Sequence, residues 1–352
     1  MIDWHKSMQQ TFEFYVVDPN TWKDSEQIRT VTSCTINRDT SSSTLGSAVI
    51  DCTEALEECY IRIYLVATQN GAKERFPLGT FLVQTPSIGF DGKVSSSSMD
   101  AYTPLIELKG SMPPIGYSLL KDHAIMDIAA TLCRENMHAP VIAADSSETL
   151  TRDFVANLDD TWMTFISDLV ANARFHMGLD ELGQVIFEPD QDIGSLRPVW
   201  TYTDDNTSIL YSDISDERDL YGIPNVVEVV YSTYEGYMSS TVVNDDVNSP
   251  VSTVNRGRVV TYRETNPNFG GVPTQAQIDD YAVQLLRNLS CLEHTITYSH
   301  SYCPVRVGDC VLLNYKRAGF ENVKAKVISQ SIKCETGCKV EETAVYTSKL
   351  WR

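Results

Sequence analysis

The sequence offers no uninterrupted apolar run of the ~20 residues that a membrane-crossing helix needs; its longest candidates, Tyr60 to Ala67 and Asp160 to Phe175, are short or broken by charge. No membrane segment is therefore expected. The opening residues, MIDWHKSMQQTFEFYVVD, lack the basic start and apolar core of a secretory signal, so the protein is expected to stay where it is made. Basic residues are scarce: 28 Lys and Arg face 47 Asp and Glu, a formal charge of −19. Such a field repels phosphate and argues against a nucleic-acid binder. If the acidic surface lined a channel, DNA would slide past without adhering, because no counterions would be released.

Signatures of catalysis are missing as well. The chain contains neither G-x-x-x-x-G-K-[ST] nor G-x-G-x-x-G, the glycine patterns that let backbone approach a phosphate at a helix N-terminus. Gly89, Gly92 and Lys93 in GFDGK echo a phosphate loop but fall between two strand patterns, where a hairpin turn is expected. There is no G-x-S-x-G elbow, and His5, His123, His138, His176, His294 and His300 form no H-E-x-x-H pair. His294 and His300 share a face of one predicted strand but lie ~20 Å apart by strand rise, too far to share a metal. These two are read as surface or interface residues.

Nine cysteines, at 34, 52, 59, 133, 291, 303, 310, 334 and 338, are an odd number scattered along a large chain, which suits reduced and mostly buried thiols. Cys334 and Cys338 lack the second pair that a four-ligand zinc site requires. The acidic clusters Asp213, Asp216, Glu217 and Asp219, Asp190 to Asp192, and Asn244 to Asp246 read as solvated loops, and none has the ligand alternation of a calcium loop. The carboxylate pair of a glycosidase is defined by spatial separation and cannot be read from spacing. No catalytic, cofactor-binding or metal-ligating residue is assigned, and no cofactor is expected.

What the chain does contain is strand upon strand. Its 352 residues suit two or three domains. In the first ~115, period-two or continuous apolar runs recur between turn residues: Thr11 to Val17, Arg29 to Ile36, Gly46 to Cys52, Tyr60 to Ala67, Phe76 to Gln84 and Lys93 to Tyr102. Six such segments suggest a small closed or nearly closed sheet. In YIRIYLVA, Ile61, Ile63 and Leu65 share one face and Arg62 and Tyr64 the other, as in a half-buried strand. At Met112-Pro113-Pro114 the pattern breaks. Two helices are then predicted, one with Ile125, Ile128, Ala129 and Leu132 on its stripe and Asn136 as its end. The other is capped by Asp160 and lined by Trp162, Phe165, Ile166, Leu169, Val170 and Ala173. A hairpin turning at Gly183 follows. From Gly222 strands return, interrupted by a helix near 274–290 whose Thr274 and Gln277 have capping-box spacing and whose Ile278, Ala282, Leu285 and Leu289 form a buried stripe.

The expected architecture is thus mainly β with an α+β insert: an N-terminal β domain over 1–112, a small α/β domain over 113–215 and a second β domain with a helical insertion over 216–352.

Several stretches, taken in order, resemble the central hub proteins of contractile phage tails and tailocins, of the PBSX prophage type and more distantly the T-even hub. TVTSCTINRDTSSSTLGSAVIDC looks like the opening β pair of that family, with Arg38-Asp39 in the connection and Leu45-Gly46-Ser47-Ala48 entering the next strand. YIRIYL with ERFPLGTFLVQTPS, including Leu78-Gly79-Thr80-Phe81, resembles its next hairpin. WMTFISDLVANARFHMGLDELGQVIFEP is similar to its insert. PNVVEVVY, NDDVNSPVSTVNRGR with Ser249 and Gly257-Arg258, YAVQLLRNLS and PVRVGDCVLLNY complete the series.

The resemblance implies a structural protein without catalytic residues, a homotrimer in which each chain contributes two tube-like β-barrels. Six barrels would match one ring of the hexameric tail tube protein above, and the three-fold face would meet the central spike protein below. Further partners implied are the tape-measure protein and other baseplate proteins, with DNA passing along the axis without specific binding. The protein would reside in the virion tail baseplate after assembly in the host bacterial cytoplasm. Two other readings remain at this level: a distal-tail or tail-associated protein of a non-contractile phage that attaches to an adhesin or receptor, and a cell-wall hydrolase using Asp or Glu.

Overall fold

The computed structural model of the chain describes residues 2–54, 56–90, 92, 95–234, 236–269 and 272–351. Among these, the opening segment forms β1 (Gln9–Val17), β2 (Asp24–Ile28), β3 (Val31–Asp39), β4 (Gly46–Cys52), β5 (Tyr60–Gln69), β6 (Ala72–Phe90) and β7 (Ser95–Tyr102). The middle contains α1 (Ile106–Gly110), β8 (Ser118–Leu119), α2 (Ile125–Asn136), β9 (Phe154–Val155), α3 (Trp162–Ala171), β10 (Phe175–Leu179), β11 (Val185–Pro189), β12 (Trp200–Thr203) and β13 (Leu210–Arg218). Then come β14 (Val226–Thr233), β15 (Gly236–Val243), α4 (Thr253–Arg256), β16 (Thr261–Thr265), α5 (Gln275–Leu289), β17 (Cys291–Ser301), β18 (Cys310–Asn314), β19 (Val323–Lys333) and β20 (Lys339–Lys349). The chain is mainly β. By compactness it divides into two units, Met1–Ile214 with Thr297–Ala344 and Ser215–Ile296 with Val345–Arg352.

In the first unit the opening strands run in the order β2-β1-β5-β6-β7-β4-β3. Alternation places Phe14, Ile36, Ala48, Ile50, Ile61, Ile63, Leu65, Leu78, Val83 and Met99 in one core, removing their apolar surface from water. The long β6 serves two partners: Ala72 to Leu82 pairs with β5, and Leu82 to Phe90 pairs with β7. The start of the predicted strand Lys93 to Tyr102 lies outside the described residues. β2 carries no strand signal in its polar DSEQI, yet it pairs with β1 through Phe14↔Ile28.

Two sequence expectations change here. β5 is buried on both faces rather than half-buried: Arg62 is 4% exposed and Tyr64 9%, because Arg62 is consumed by hydrogen bonds and Tyr64 donates to Asp24 Oδ2 at 2.8 Å. Secondly, β3 pairs with β19, so strands from the opening and closing segments join in one thirteen-stranded sheet. Beyond β19 the order continues β20-β17-β13, with β18 pairing both β19 and the parallel β12.

The middle segment builds a second core in the same unit. Ile125, Ala129 and Leu132 of α2 pack with Phe165, Ile166, Leu169 and Val170 of α3, as the helical spacing predicts. α2 ends at Asn136, whose side-chain amide donates to Leu132 O. α3 begins one residue later than expected. Thr161, not Asp160, is its N-cap and forms a capping box with Thr164, while the Asp160 carboxylate accepts from Asn157 N at 2.7 Å.

In the second unit β14 lies between the antiparallel β15 and the parallel β16. α5 starts with the predicted capping box of Thr274 and Gln277. Its Ile278, Ala282 and Leu286 pack on Val227 and Val229, with Leu285 and Leu289 at the margin. Asn225 holds the neighbouring connection, its amide donating to the carbonyls of Val251 and Arg258 and its carbonyl oxygen accepting from Val260 N.

Candidate functional site

Two polar constellations in the first unit stand out, and both are built where distant segments meet. The first lies on the β3–β19 pair, whose register sets Ile36 opposite Ile332 and Arg38 opposite Gln330. Arg38 donates to Gln330 Oε1 at 3.1 Å and to Leu78 O. Gln330 Nε2 in turn donates to Glu342 Oε2 at 2.7 Å and Val305 O at 3.0 Å. Glu342, on β20, also accepts from the Tyr298 hydroxyl and, at 3.4 Å, from that of Tyr202.

His300 completes the set. Its Nε2 lies 3.4 Å from Glu342 Oε2 and 3.1 Å from the Tyr202 hydroxyl, and its Nδ1 donates to Ser301 O at 2.8 Å. Both His300 and Glu342 are fully buried. Burial by itself would lower the His300 imidazolium, but contacts with Cys303 and Glu342 outweigh it and hold it up to about 10. Burial first, then the Glu342 charge, push the Tyr202 and Tyr298 phenols well above their ordinary value.

A cysteine, a histidine and a carboxylate together are the parts of nucleophilic catalysis, so the geometry matters. Cys303 Sγ lies 3.9 Å from His300 Nδ1, and that nitrogen is committed to a backbone carbonyl. Cys303 is only 1% exposed, which leaves no route for a substrate. What the arrangement does is satisfy a buried ion pair across β12, β17, β20, β19 and β3. A network of this kind specifies register, since a slip by one residue would strand charges in the core.

The second constellation docks the β10–β11 hairpin on the opening strands. Leu182 O accepts from Trp22 Nε1 at 2.9 Å, Thr80 Oγ1 at 2.9 Å and Arg62 Nη2 at 3.2 Å. Arg62 also reaches Thr80 Oγ1 through Nε and Asp24 through Nη1, each at 2.9 Å. The approach needs glycine at the predicted turn: Gly183 has φ +75°, and a Cβ there would stand 2.7 Å from Thr80 Cβ. Beside it opens a cleft of about 670 Å³ between the β3–β4 connection, β6, α3, β10 and Arg306–Gly308.

Several titratable groups in the cleft are paired. His176 Nδ1 contacts Asp190 Oδ1 at 2.8 Å, His176 Nε2 lies 3.6 Å from Glu188 Oε2, and Arg306 Nε meets Glu181 Oε1 at 2.9 Å. The Glu188 hydrogen bond, opposed by burial, raises His176 above its ordinary value, and the same bond lowers Glu188.

Sequence-selected residues are placed as follows. Gly89 lies in β6 and Gly92 has φ +92°, with Phe90 pairing Ser95 across the predicted hairpin; Lys93 is outside the described residues. His5, His123 and His138 are exposed and His176 half-buried. His294 and His300, however, are buried, which corrects their reading as surface groups. In the second unit, His294 stacks on Tyr346 at 4.2 Å and contacts Asp216 Oδ1 and Ser348 Oγ.

The acidic run Asp213, Asp216 and Glu217 lies in strand β13 rather than a loop, with Asp219 beyond its end. Asn244 is fully buried and donates to Ser249 Oγ at 2.9 Å, whereas Asp190 to Asp192 stay exposed. Cys34, Cys52, Cys133, Cys303, Cys310 and Cys338 are buried free thiols, and Cys59, Cys291 and Cys334 are half-buried. Among the described residues no group of three or more His, Cys, Asp or Glu side chains is arranged to hold a metal ion. Nor is any helix among them long and apolar enough to cross a membrane.

The seam network escaped sequence reasoning because its members lie on five separate strands. A signal was present in KVEETAVYT, where Val340, Glu342 and Ala344 share the inward face and a carboxylate occupies an apolar position.

No family model and no curated protein matches the sequence. Solved structures do. A tail protein from Neisseria meningitidis superposes with a TM-score of 0.63 at 13% identity, covering 97% of this chain and 98% of its own. A prophage tail protein from Shewanella oneidensis gives 0.61 at 11% identity over 95% and 98% of the two chains. A prophage tail protein from Listeria monocytogenes gives 0.50 at 12% identity over 95% and 94%. At such identities the likeness is one of fold. It runs through nearly the whole chain, and it is a likeness to tail proteins, the broad class to which the ordered fragments of the sequence pointed.

Proposed function

We propose that the chain is a non-catalytic structural component of a phage-type tail, and specifically the central hub of a contractile baseplate or tailocin. The observation that carries this reading is the fold-level likeness to a tail protein over 97% of this chain and 98% of the other, with neither chain left with a large unmatched domain. In this reading segments 1–112 and 216–352 act as two tube-like modules and 113–215 as the insert between them. Three chains then present six modules to a hexameric tail tube and a three-fold face to a trimeric spike, with the tape-measure protein ending at the ring and other baseplate proteins around it. A charge of −19 suits a ring through which DNA passes without adhering. The protein's place is the virion tail, after assembly in the host bacterial cytoplasm.

The seam network supports a structural role, because its titratable groups are buried and satisfied where an enzyme would expose them to substrate. Electron microscopy of the purified chain, alone and with tube or spike protein, tests the reading. A three-fold ring with an axial hole is expected. Particles that remain monomeric at high concentration beside both partners would overturn it, as would release of sugars or peptides from peptidoglycan by the chain alone.

A further inference from the structure

The face of the β3–β19 pair that carries Arg38 with Gln330 and Ile36 with Ile332 ends in two cysteines. Register steps by one residue on each strand and ends at Lys333 opposite Thr35, so one further step beyond β19 brings Cys334 opposite Cys34. The backbone confirms the pairing, since Cys334 N donates to Cys34 O at 2.9 Å. Because side chains alternate across a strand, both thiols point to the same side as Ile36 and Ile332, into the core that holds Cys34 and packs against Cys334. Cys34 is 4% exposed, whereas Cys334 is half-buried.

We propose that Cys34 and Cys334 are a modification site: a dithiol that low-molecular-weight disulfides convert into a cross-strand bridge between the opening and closing β segments. A directly hydrogen-bonded antiparallel pair has a Cα separation of about 5.5 Å, inside the range that disulfides span. Its Cβ separation, about 4.5–5.5 Å, is wider than the 3.5–4.5 Å of an unstrained bridge, so closure draws the strands together and the product is readily reduced again.

The reaction balances without any further oxidant. The Cys334 thiolate attacks one sulfur of the small disulfide, forming a mixed disulfide and releasing one small thiol with its proton. The Cys34 thiolate then attacks the Cys334 sulfur and expels the second small thiol. Two electrons pass from the protein to the small disulfide, and two protein thiols become one bridge. A hydrogen bond with the Cys34 thiol, then burial, raise Cys334 well above the ordinary thiol value, so its thiolate is scarce and closure is slow at neutral pH. Cys338 sits nearby and fully buried, but among the described residues no metal-binding group includes these thiols. Inside a reducing cell the pair remains open; a particle released into an oxidising medium meets the disulfides that close it. This chemistry stands whether or not the chain acts as a tail hub.

The test uses the full chain, reduced, freed of reductant, incubated with oxidised glutathione and then quenched by alkylation. The expected product has lost two hydrogens and carries no glutathione, and a non-reducing digest joins the Cys34 peptide to the Cys334 peptide. Its rate of formation rises about tenfold per pH unit below the thiol pKa, following the thiolate fraction. Cys334→Ser removes the joined peptide, while Cys59→Ser, at another half-buried thiol, leaves it in place; circular dichroism checks that both fold. A chain that stays reduced, that carries only glutathione adducts, or that joins Cys334 to Cys338 instead would overturn the proposal.

Discussion

The two compact units bury their polar groups by different means. In the unit of Met1–Ile214 and Thr297–Ala344, full charges are sunk: Arg62 is 4% exposed and His300 and Glu342 are fully buried, each tied to several partners. In the unit of Ser215–Ile296 and Val345–Arg352, the polar side chains with no exposure among the described residues are the neutral Asn225, Asn244, Ser252 and Ser290, while the ionisable His294 keeps 6% and is held by Asp216 and Ser348. The difference follows from how the strands find each other. β14 and β15 are neighbours in sequence, so their short connection sets their register, whereas β3 and β19 come from opposite ends of the chain and have no connection to align them. Charged partners supply that alignment, because any other pairing leaves an ion unpaired in an apolar core.

The sharpest way to break this contrast is Glu342→Ala, which leaves His300 uncompensated. It should cost the first unit about 3–5 kcal/mol in urea unfolding, while amide protection of β14 and α5 is retained. A full-sized loss in α5 protection at the same denaturant concentration would show that the two units do not differ in this way.

Acid–base behaviour gives a second test. Because the His300 imidazolium is held above its unfolded value, the stability it contributes is complete below about pH 6.5 and disappears as pH rises through about 10. Thermal midpoints should fall over that window in the wild type, and Glu342→Gln should flatten the fall. An unchanged slope in the variant would remove His300 from the explanation.

Gly183→Ala puts a Cβ on a residue at φ +75° and 2.7 Å from Thr80 Cβ, so a loss of about 2–4 kcal/mol is expected by thermal melting. The smallest effect belongs to the second unit. Thr274→Ala removes half of a capping box and should cost about 1 kcal/mol, seen as faster exchange in the first turn of α5.

Sequence reasoning reached the local features of both units. The Thr274–Gln277 box, the turn at Gly183, the end of α2 at Asn136 and the strand Gly46 to Cys52 each depend on neighbours a few residues away, and each is found. Polar strands were missed: DSEQI of β2 and the acidic β13 carry no apolar alternation and are held by what they pair with. The non-local features were also out of reach. Arg62 looked like a solvent-facing residue of a half-buried strand until the β10–β11 hairpin covered it, and no spacing rule links Arg38 to Gln330 or His300 to Glu342.

One consequence of the β3–β19 pairing concerns time. β3 ends at Asp39 and β19 begins at Val323, so a ribosome making 5–20 residues per second works for on the order of half a minute between them. Throughout that interval the growing polypeptide keeps an open strand edge and an unfinished core, and a prematurely released fragment keeps them for good. Synthesis of β19 therefore acts as a checkpoint: only a copy carried through Lys333 can hide that edge, and copies that stop short of it are marked for proteases and chaperones.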